Sequence, residues 1–288
     1  MKRLTDFVTE KLKLGKNQSQ YSCHPQTKEE LQEIIHERLS KDPNADLNDI
    51  DVSNITDMAA LFRYDEFDKK SIDFNGDISL WDVSNVENMT MMFAYSSFNS
   101  DISLWNVSNV KRMGAMFQHS EFNGDISKWK VNNVEEMDWM FSANPKFNQD
   151  ISNWNVGNVK NMESMFSCAK SFNQDISKWN VGKVRSMSNM FRRTPFNKDI
   201  SKWNVSSVVT MGHMFEESKF NQDISNWDVS NVESMTSMFE DSEFNQDLNN
   251  WKVNKECFYL SIFDGSPIEK NKTYPKWFKK SKKPVVLL

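Results

Sequence analysis

Eight aspartates recur along the chain every 24 or 25 residues: Asp77, Asp101, Asp125, Asp150, Asp175, Asp199, Asp223 and Asp247. Two positions before each stands an asparagine: Asn75, Asn99, Asn123, Asn148, Asn173, Asn197, Asn221 and Asn245. A column of hard oxygen donors is the chemistry of a calcium site. Short Asn and Asp side chains also cap turn amides. The column offers one carboxylate per repeat and lacks the G-G-x-G-x-D pattern of calcium-binding β-rolls, so the turn role is expected and no cofactor is assigned.

The other reactive residue types form no site. His24, His36, His119 and His213 share no slot, and no G-x-S-x-G, H-E-x-x-H or P-loop pattern is present. Cys23, Cys168 and Cys257 are an odd number without C-x-x-C spacing, so they read as reduced thiols rather than a zinc or disulfide framework. No enzymatic activity is expected. Rows of tryptophan and methionine offer either a glycan-stacking strip and a metal–sulfur ladder or a packed core, and their spacing favours the core. Trp139 and Trp277 stand outside the tryptophan row and are the candidates for exposed aromatics.

The elements that place these residues are repeats. Tryptophans at 81, 105, 129, 154, 179, 203, 227 and 251 share a register with phenylalanines at 74, 98, 122, 147, 172, 196, 220 and 244. One unit reads Phe-Asn-x-Asp-Ile-Ser-x-Trp-x-Val-x-x-Val-x-x-Met-x-x-Met-Phe. Of the 17 methionines, only Met1 and Met91 lie outside the two methionine slots, which ties those slots to the frame. The extra residue of two units falls between Phe141 and Phe147 and between Phe166 and Phe172, as expected of a surface turn.

The run Ile78-x-x-Trp81-x-Val83-x-x-Val86 has leucine-rich-repeat spacing, and its Trp-x-Val segment predicts a short strand. Val86, Met89, Met92 and Phe93 predict a short helix. Ser84, Ser108, Asn132, Gly157, Gly182, Ser206 and Ser230 fall at its N-cap, and Glu87, Glu135 and Glu233 complete capping boxes. The expected fold class is α/β: a right-handed leucine-rich-repeat-like solenoid with one short parallel strand and one short helix per coil. A propeller blade needs roughly 40 residues, too many for this unit.

Residues 46–265 form the solenoid, whose first unit (Ile50, Met58, Leu61, Phe62) and last unit (Tyr259, Ile262, Phe263) diverge. Residues 1–45 are a helical segment with Leu4, Phe7, Val8 and Leu12 on one short helix. Thr27 caps a second helix bearing Leu31, Ile34, Ile35 and Leu39, expected to cover the end of the stack. Residues 266–288 are a basic tail with Lys270, Lys272, Lys276, Lys279, Lys280, Lys282 and Lys283, ending in Val285-Val286-Leu287-Leu288.

The unit Phe147-Asn-Gln-Asp-Ile-Ser-Asn-Trp154-Asn-Val-Gly-Asn-Val-Lys-Asn-Met162-Glu-Ser-Met165-Phe166 resembles the BspA-like leucine-rich-repeat family, which includes mycoplasma-type surface lipoproteins and chains from gut bacteria and their phages. The lead-in Thr27-Lys-Glu-Glu-Leu-Gln-Glu-Ile-Ile, followed by Asp46-Leu-Asn-Asp-Ile-Asp-Val, is similar to it as well. The resemblance implies adhesion or protein–protein contact without catalysis.

Charge and composition agree with a non-catalytic role and limit its partners. A net charge of -5 disfavours a general nucleic-acid binder. No run of roughly 18 apolar residues predicts a membrane span. Met1-Lys2-Arg3 lacks a following apolar stretch, so a signal peptide is not expected and a cytoplasmic or virion location is favoured over the cell surface.

Function is expected on positions that vary beside the tryptophans: Leu80, Asp82, Leu104, Asn106, Lys128, Lys130, Asn153, Asn155, Lys178, Asn180, Lys202, Asn204, Asn226 and Asp228. A protein or glycan partner is the first expectation. A structural component of a virion or envelope that self-associates is the second. Nucleic-acid binding through the lysine stripe and tail is the third.

Overall fold

A computed structural model describes residues 21–65 and 71–279. The expected helix at Leu4–Leu12 and the tail residues Lys280, Lys282, Lys283 and Val285–Leu288 lie outside those residues.

Helix α1 (Lys28–Leu39) starts where Thr27 caps it: the Thr27 hydroxyl accepts from the Glu30 N–H at 3.2 Å. Leu31, Ile35 and Leu39 are buried in one continuous core with Leu47 and Ile50, while Ile34 is half-buried against it. Just before the helix, Cys23 pairs with Ile50 in a parallel bridge, so the helix occupies the place of a preceding unit.

From there the units stack in chain order. Single parallel bridges join Asp57, Asn88, Arg112, Glu136, Asn161, Ser186, Thr210, Ser234 and Phe258, one residue per unit. The expected local elements are corrected here. Among the described residues the repeats contain neither a continuous strand at Trp-x-Val nor a helix from the second valine to the phenylalanine.

The reason lies in how the backbone satisfies its polar groups. At Trp81–Val83 the chain bends: the Trp81 N–H donates to Ile78, the Val86 N–H to Val83, and the Ser84 N–H to the Asp82 carboxylate. At Met89–Ser96, alternate amides leave the unit. Met89, Met91, Phe93 and Tyr95 donate to Arg112, Gly114, Met116 and Gln118 of the next unit, at 2.7 to 2.9 Å. Between them, Met92 and Ala94 donate three residues back, to Met89 and Met91. The 3-and-4 spacing of Val86, Met89, Met92 and Phe93 fits these tandem turns as well as it fits a helix.

This path puts two non-glycine residues of most units in the left-handed region, such as Met91 (φ 57°) and Tyr95 (φ 62°). Each such residue costs on the order of 1–3 kcal/mol by itself. The amide that the turn aims at the next unit offsets that cost, so the conformation belongs to the stack rather than to one unit.

The core is a set of aromatic columns. Phe93 stacks on Phe98 at 4.0 Å and on Phe117 of the next unit at 5.6 Å. Each tryptophan of the repeat row donates its indole N–H to the carbonyl of the isoleucine or leucine in the preceding unit, as Trp154 does to Ile126 at 3.0 Å. A buried hydroxyl row, absent from the sequence expectation, holds the variable turns: Ser96, Ser120, Thr194, Ser218 and Ser242 each donate to the phenylalanine carbonyl three residues back.

Helix α2 (Pro267–Asn271) and the residues to Lys279 close the other end. Trp277, expected to be exposed, is half-buried: its indole donates to the Leu248 carbonyl at 2.8 Å, and it stacks on Trp251 at 6.1 Å. Among the described residues no helix is long and apolar enough to cross a membrane. Burial raises the Cys257 thiol to about 11, leaving it unreactive at neutral pH.

Candidate interaction surface

The oxygen-rich columns are engaged by the frame. From Asn75 to Asn221 each asparagine side-chain oxygen accepts the backbone N–H of the asparagine one unit on, as Asn123 does from Asn148 and Asn148 from Asn173, both at 3.0 Å. Each aspartate caps the turn that follows it: Asp150, Asp175 and Asp199 accept the N–H of Ser152, Ser177 and Ser201 at 2.9 Å. Among the described residues no group of three or more His, Cys, Asp or Glu is placed to hold a metal ion.

The serine N–H and hydroxyl depress the carboxyl pKa at Asp125, Asp150, Asp175, Asp199 and Asp223 below the ordinary 3.8. Stability from a depressed carboxylate is complete above its ordinary pKa and is lost as pH falls through the depressed value. Acid should therefore loosen the stack below about pH 4. A triple variant, Asp150→Asn, Asp175→Asn and Asp199→Asn, keeps an acceptor at each turn. Its melting temperature is expected to fall less than the parent's between about pH 5 and pH 2. Equal losses in both proteins would show that these carboxylates do not set the acid limit.

The fourteen residues expected to form the contact row face outward, and all but the half-buried Leu80 are exposed. Six of them also hold the turn behind them: Asp82, Asn106, Asn155, Asn180, Asn204 and Asp228 each accept the N–H two residues on. The lysine stripe is not a bare cationic field. Lys128 lies close enough to Asp125, Lys178 to Asp175 and Lys202 to Asp199 to lower those carboxyl pKa values. Leu104 is the exposed one of the row's two leucines, at 54%.

The tandem-turn side presents a different surface. Its two left-handed slots carry Met91, Ala115 and Trp139 in one row and Tyr95, His119 and Ala143 in the other. Met91, Tyr95 and Trp139 are 37%, 44% and 38% exposed, although the frame buries every repeat-register tryptophan and methionine around them. Tyr95 stacks on His119 at 4.8 Å with rings 7° from parallel, and the Arg63 guanidinium lies 5.9 Å from the Tyr95 ring. Beside Trp139, burial and then the neighbouring Glu163 raise the Asp138 carboxyl.

Farther along, the same rows turn charged. Arg193 pairs with Glu217 at 2.6 Å. Burial pushes the Glu216 carboxyl up, but its hydrogen bonds with Arg192 at 2.7 Å and His213 at 2.5 Å outweigh that and hold it below the ordinary range. The sequence flagged two members of the aromatic cluster, Met91 outside its slots and Trp139 outside its row. Tyr95 and His119 gave no signal, because their turn reads as a variable loop until the rungs place it.

The family model described as "Mycoplasma protein of unknown function, DUF285" matches the chain in three consecutive stretches, residues 30–121, 118–195 and 178–277. Comparison with curated proteins and with solved structures gave no match.

Proposed function

The chain belongs to the family of mycoplasma proteins of unknown function that carries this repeat, and within it we propose a non-enzymatic interaction module: a BspA-like leucine-rich-repeat solenoid that presents its tandem-turn side to a protein partner. One observation carries the reading. The slots of Met91, Tyr95 and Trp139 hold Ala115, Ala143 and Ser164 in neighbouring units, so the frame does not require large apolar side chains there. Exposed Trp, Tyr, Met and Arg are the residue types that concentrate binding energy at protein interfaces. The contact surface proposed here is therefore the aromatic cluster rather than the row beside the tryptophans.

The test substitutes residues already found in those slots, Tyr95→Ala with Trp139→Ser. A photo-crosslinking residue at Ala115 identifies the partner in host extract, with one at Asn180 as the control face. Stability should move by less than about 0.5 kcal/mol, as for surface changes generally. Affinity for the crosslinked partner should drop by at least about tenfold, the scale of an interface anchor. Changing Lys128, Lys130, Lys178 and Lys202 to glutamate should leave that affinity intact. Binding that survives the double change, or crosslinking confined to Asn180, would remove the cluster from consideration.

A further inference from the structure

Neighbouring units exchange backbone hydrogen bonds in both directions. Forward, Met235 and Ser237 of the eighth unit donate to the carbonyls of Phe258 and Leu260. Backward, the Phe258 N–H donates to the Glu233 carbonyl of the eighth unit. The last unit repeats this edge with the Tyr259 and Ser261 N–H groups and the Cys257 carbonyl. None of these three groups has a hydrogen-bond partner among the described residues. The far end of the edge is closed, because the Glu269 carboxylate accepts the Gly265 N–H at 2.8 Å.

The first unit ends the stack with the complementary groups. The Asn88 and Thr90 carbonyls accept from Met58 and Ala60 of the unit before, and the matching carbonyls of the first unit are those of Asp57 and Ala59. Glu87 and Asn88 donate backward to the Thr56 carbonyl, and the matching donors are the Thr56 and Asp57 N–H groups. All four groups lack a hydrogen-bond partner among the described residues. Helix α1 stands in the preceding unit's place, but a helix uses its amides on its own carbonyls and supplies no rungs. Between α1 and the first unit lies a groove of about 680 Å³, lined by the buried Ile35, Leu39, Leu61 and Phe62 and by the exposed Glu29 and Glu33.

Side chains at the two ends match as the backbones do. Phe258 and Leu260, which flank the open amides, are 73% and 52% exposed, in slots where inner units never carry a large apolar residue. The same end carries exposed Lys255, Lys270, Lys272, Lys276 and Lys279, with Glu256, Asp264 and Glu269 as its acids. Along α1, Glu29, Glu30, Glu33 and Glu37 are exposed, while Lys28 and Arg38 are already paired with Asp57 and Asp49.

We propose that the two ends of the stack bind each other between copies of this chain. The open edge of the last unit docks in the groove between α1 and the first unit of the next copy. Tyr259 and Ser261 then donate to the Asp57 and Ala59 carbonyls of that copy, as Met235 and Ser237 do to Phe258 and Leu260 within one chain. Phe258 and Leu260 leave water at the junction, and the lysines face the glutamates of α1. Two like ends would set lysine against lysine or glutamate against glutamate, which disfavours a symmetric pair. A contact between unlike ends leaves one free end on each side, so it extends into a chain of copies. Such assembly goes beyond the partner-binding reading and leaves Met91, Tyr95 and Trp139 accessible on earlier units.

Light scattering across concentration tests the contact on three full-length proteins. They are the parent, Phe258→Asp with Leu260→Asp, and Glu29→Lys with Glu33→Lys. All four positions are exposed, and thermal melts check that each variant is folded. Lys276→Glu with Lys279→Glu replaces the first variant if its fold fails. The parent's mass should rise with concentration past two copies, while each variant alone stays monomeric. An equimolar mixture of the two variants should stop at a dimer, since one intact end of each kind remains. A parent that is monomeric up to about 100 µM overturns the proposal. A variant that assembles alone like the parent, or a mixture that stays monomeric, also overturns it. A parent that stops at a dimer overturns it in favour of a symmetric pair.

Discussion

Phe166→Ala is expected to cost about 3–5 kcal/mol of unfolding free energy, the range for removing a fully buried phenylalanine from a packed core. Phe166 is 0% exposed and lies mid-stack, with Phe172 at 3.8 Å, Phe141 at 5.7 Å and Phe191 at 5.9 Å. Its position matters as much as its burial. In a stack each unit contacts only its neighbours, so a void in the middle weakens the coupling between the two halves. Denaturant unfolding should show a lower midpoint and a second transition where the parent shows one. Met165→Leu, which conserves volume in the adjacent slot, should cost less than about 1.5 kcal/mol. A loss below about 1 kcal/mol for Phe166→Ala would mean that the aromatic column relaxes around the void.

Gly76→Gln is the second large effect, and it runs against the repeat pattern. The slot of Gly76 holds Gln149, Gln174, Gln222 and Gln246 in other units, and Gln149 uses its amide to donate to the Asn123 carbonyl at 2.8 Å. By pattern alone, glutamine would improve this unit. At Gly76, however, an added Cβ would lie 2.2 Å from the Ala45 carbonyl oxygen and 2.9 Å from the Asn44 carbonyl carbon. Both are backbone atoms of the segment that joins α1 to the first unit, so the junction itself must shift. Overpacking of this kind costs about 1–3 kcal/mol. Thermal melts should show the loss in Gly76→Gln, with Ser100→Gln in the next unit close to the parent. Equal melting temperatures for the two variants would show that the junction yields freely.

The functional reading changed more between sequence and structure than the frame did. Asp82, Asn106, Asn155, Asn180, Asn204 and Asp228 keep one chemistry because each accepts the N–H two residues on, a constraint visible once the turn is drawn, and Lys130 and Lys252 depart from it. Trp277 looked out of register because its step from Trp251 is 26 rather than 24 or 25, and only its bond to Leu248 shows that it continues the row. Trp139 looked out of register and is indeed exposed, as Met91 is in the same left-handed slot, although the small residues Ala115, Ser164 and Ser237 are buried there.

Inside and outside were set by the sequence. Fixed spacing of Phe, Ile, Trp, Val and Met dictates which side chains meet in the core, and the Thr27 cap with Leu31, Ile35 and Leu39 dictates the helix at the N-terminal end. The path of the backbone between those side chains was set by the stack. No residue near Met91 or Tyr95 marks a left-handed turn, because the feature that offsets its cost is a carbonyl of the next unit, that of Gly114 or Gln118. Gly76 needs its missing side chain for a like reason, since the group it makes room for belongs to Ala45. Apolar periodicity records what a residue must bury. It does not record which backbone groups a neighbouring unit supplies, and in this chain those groups decide both the turns and the edges.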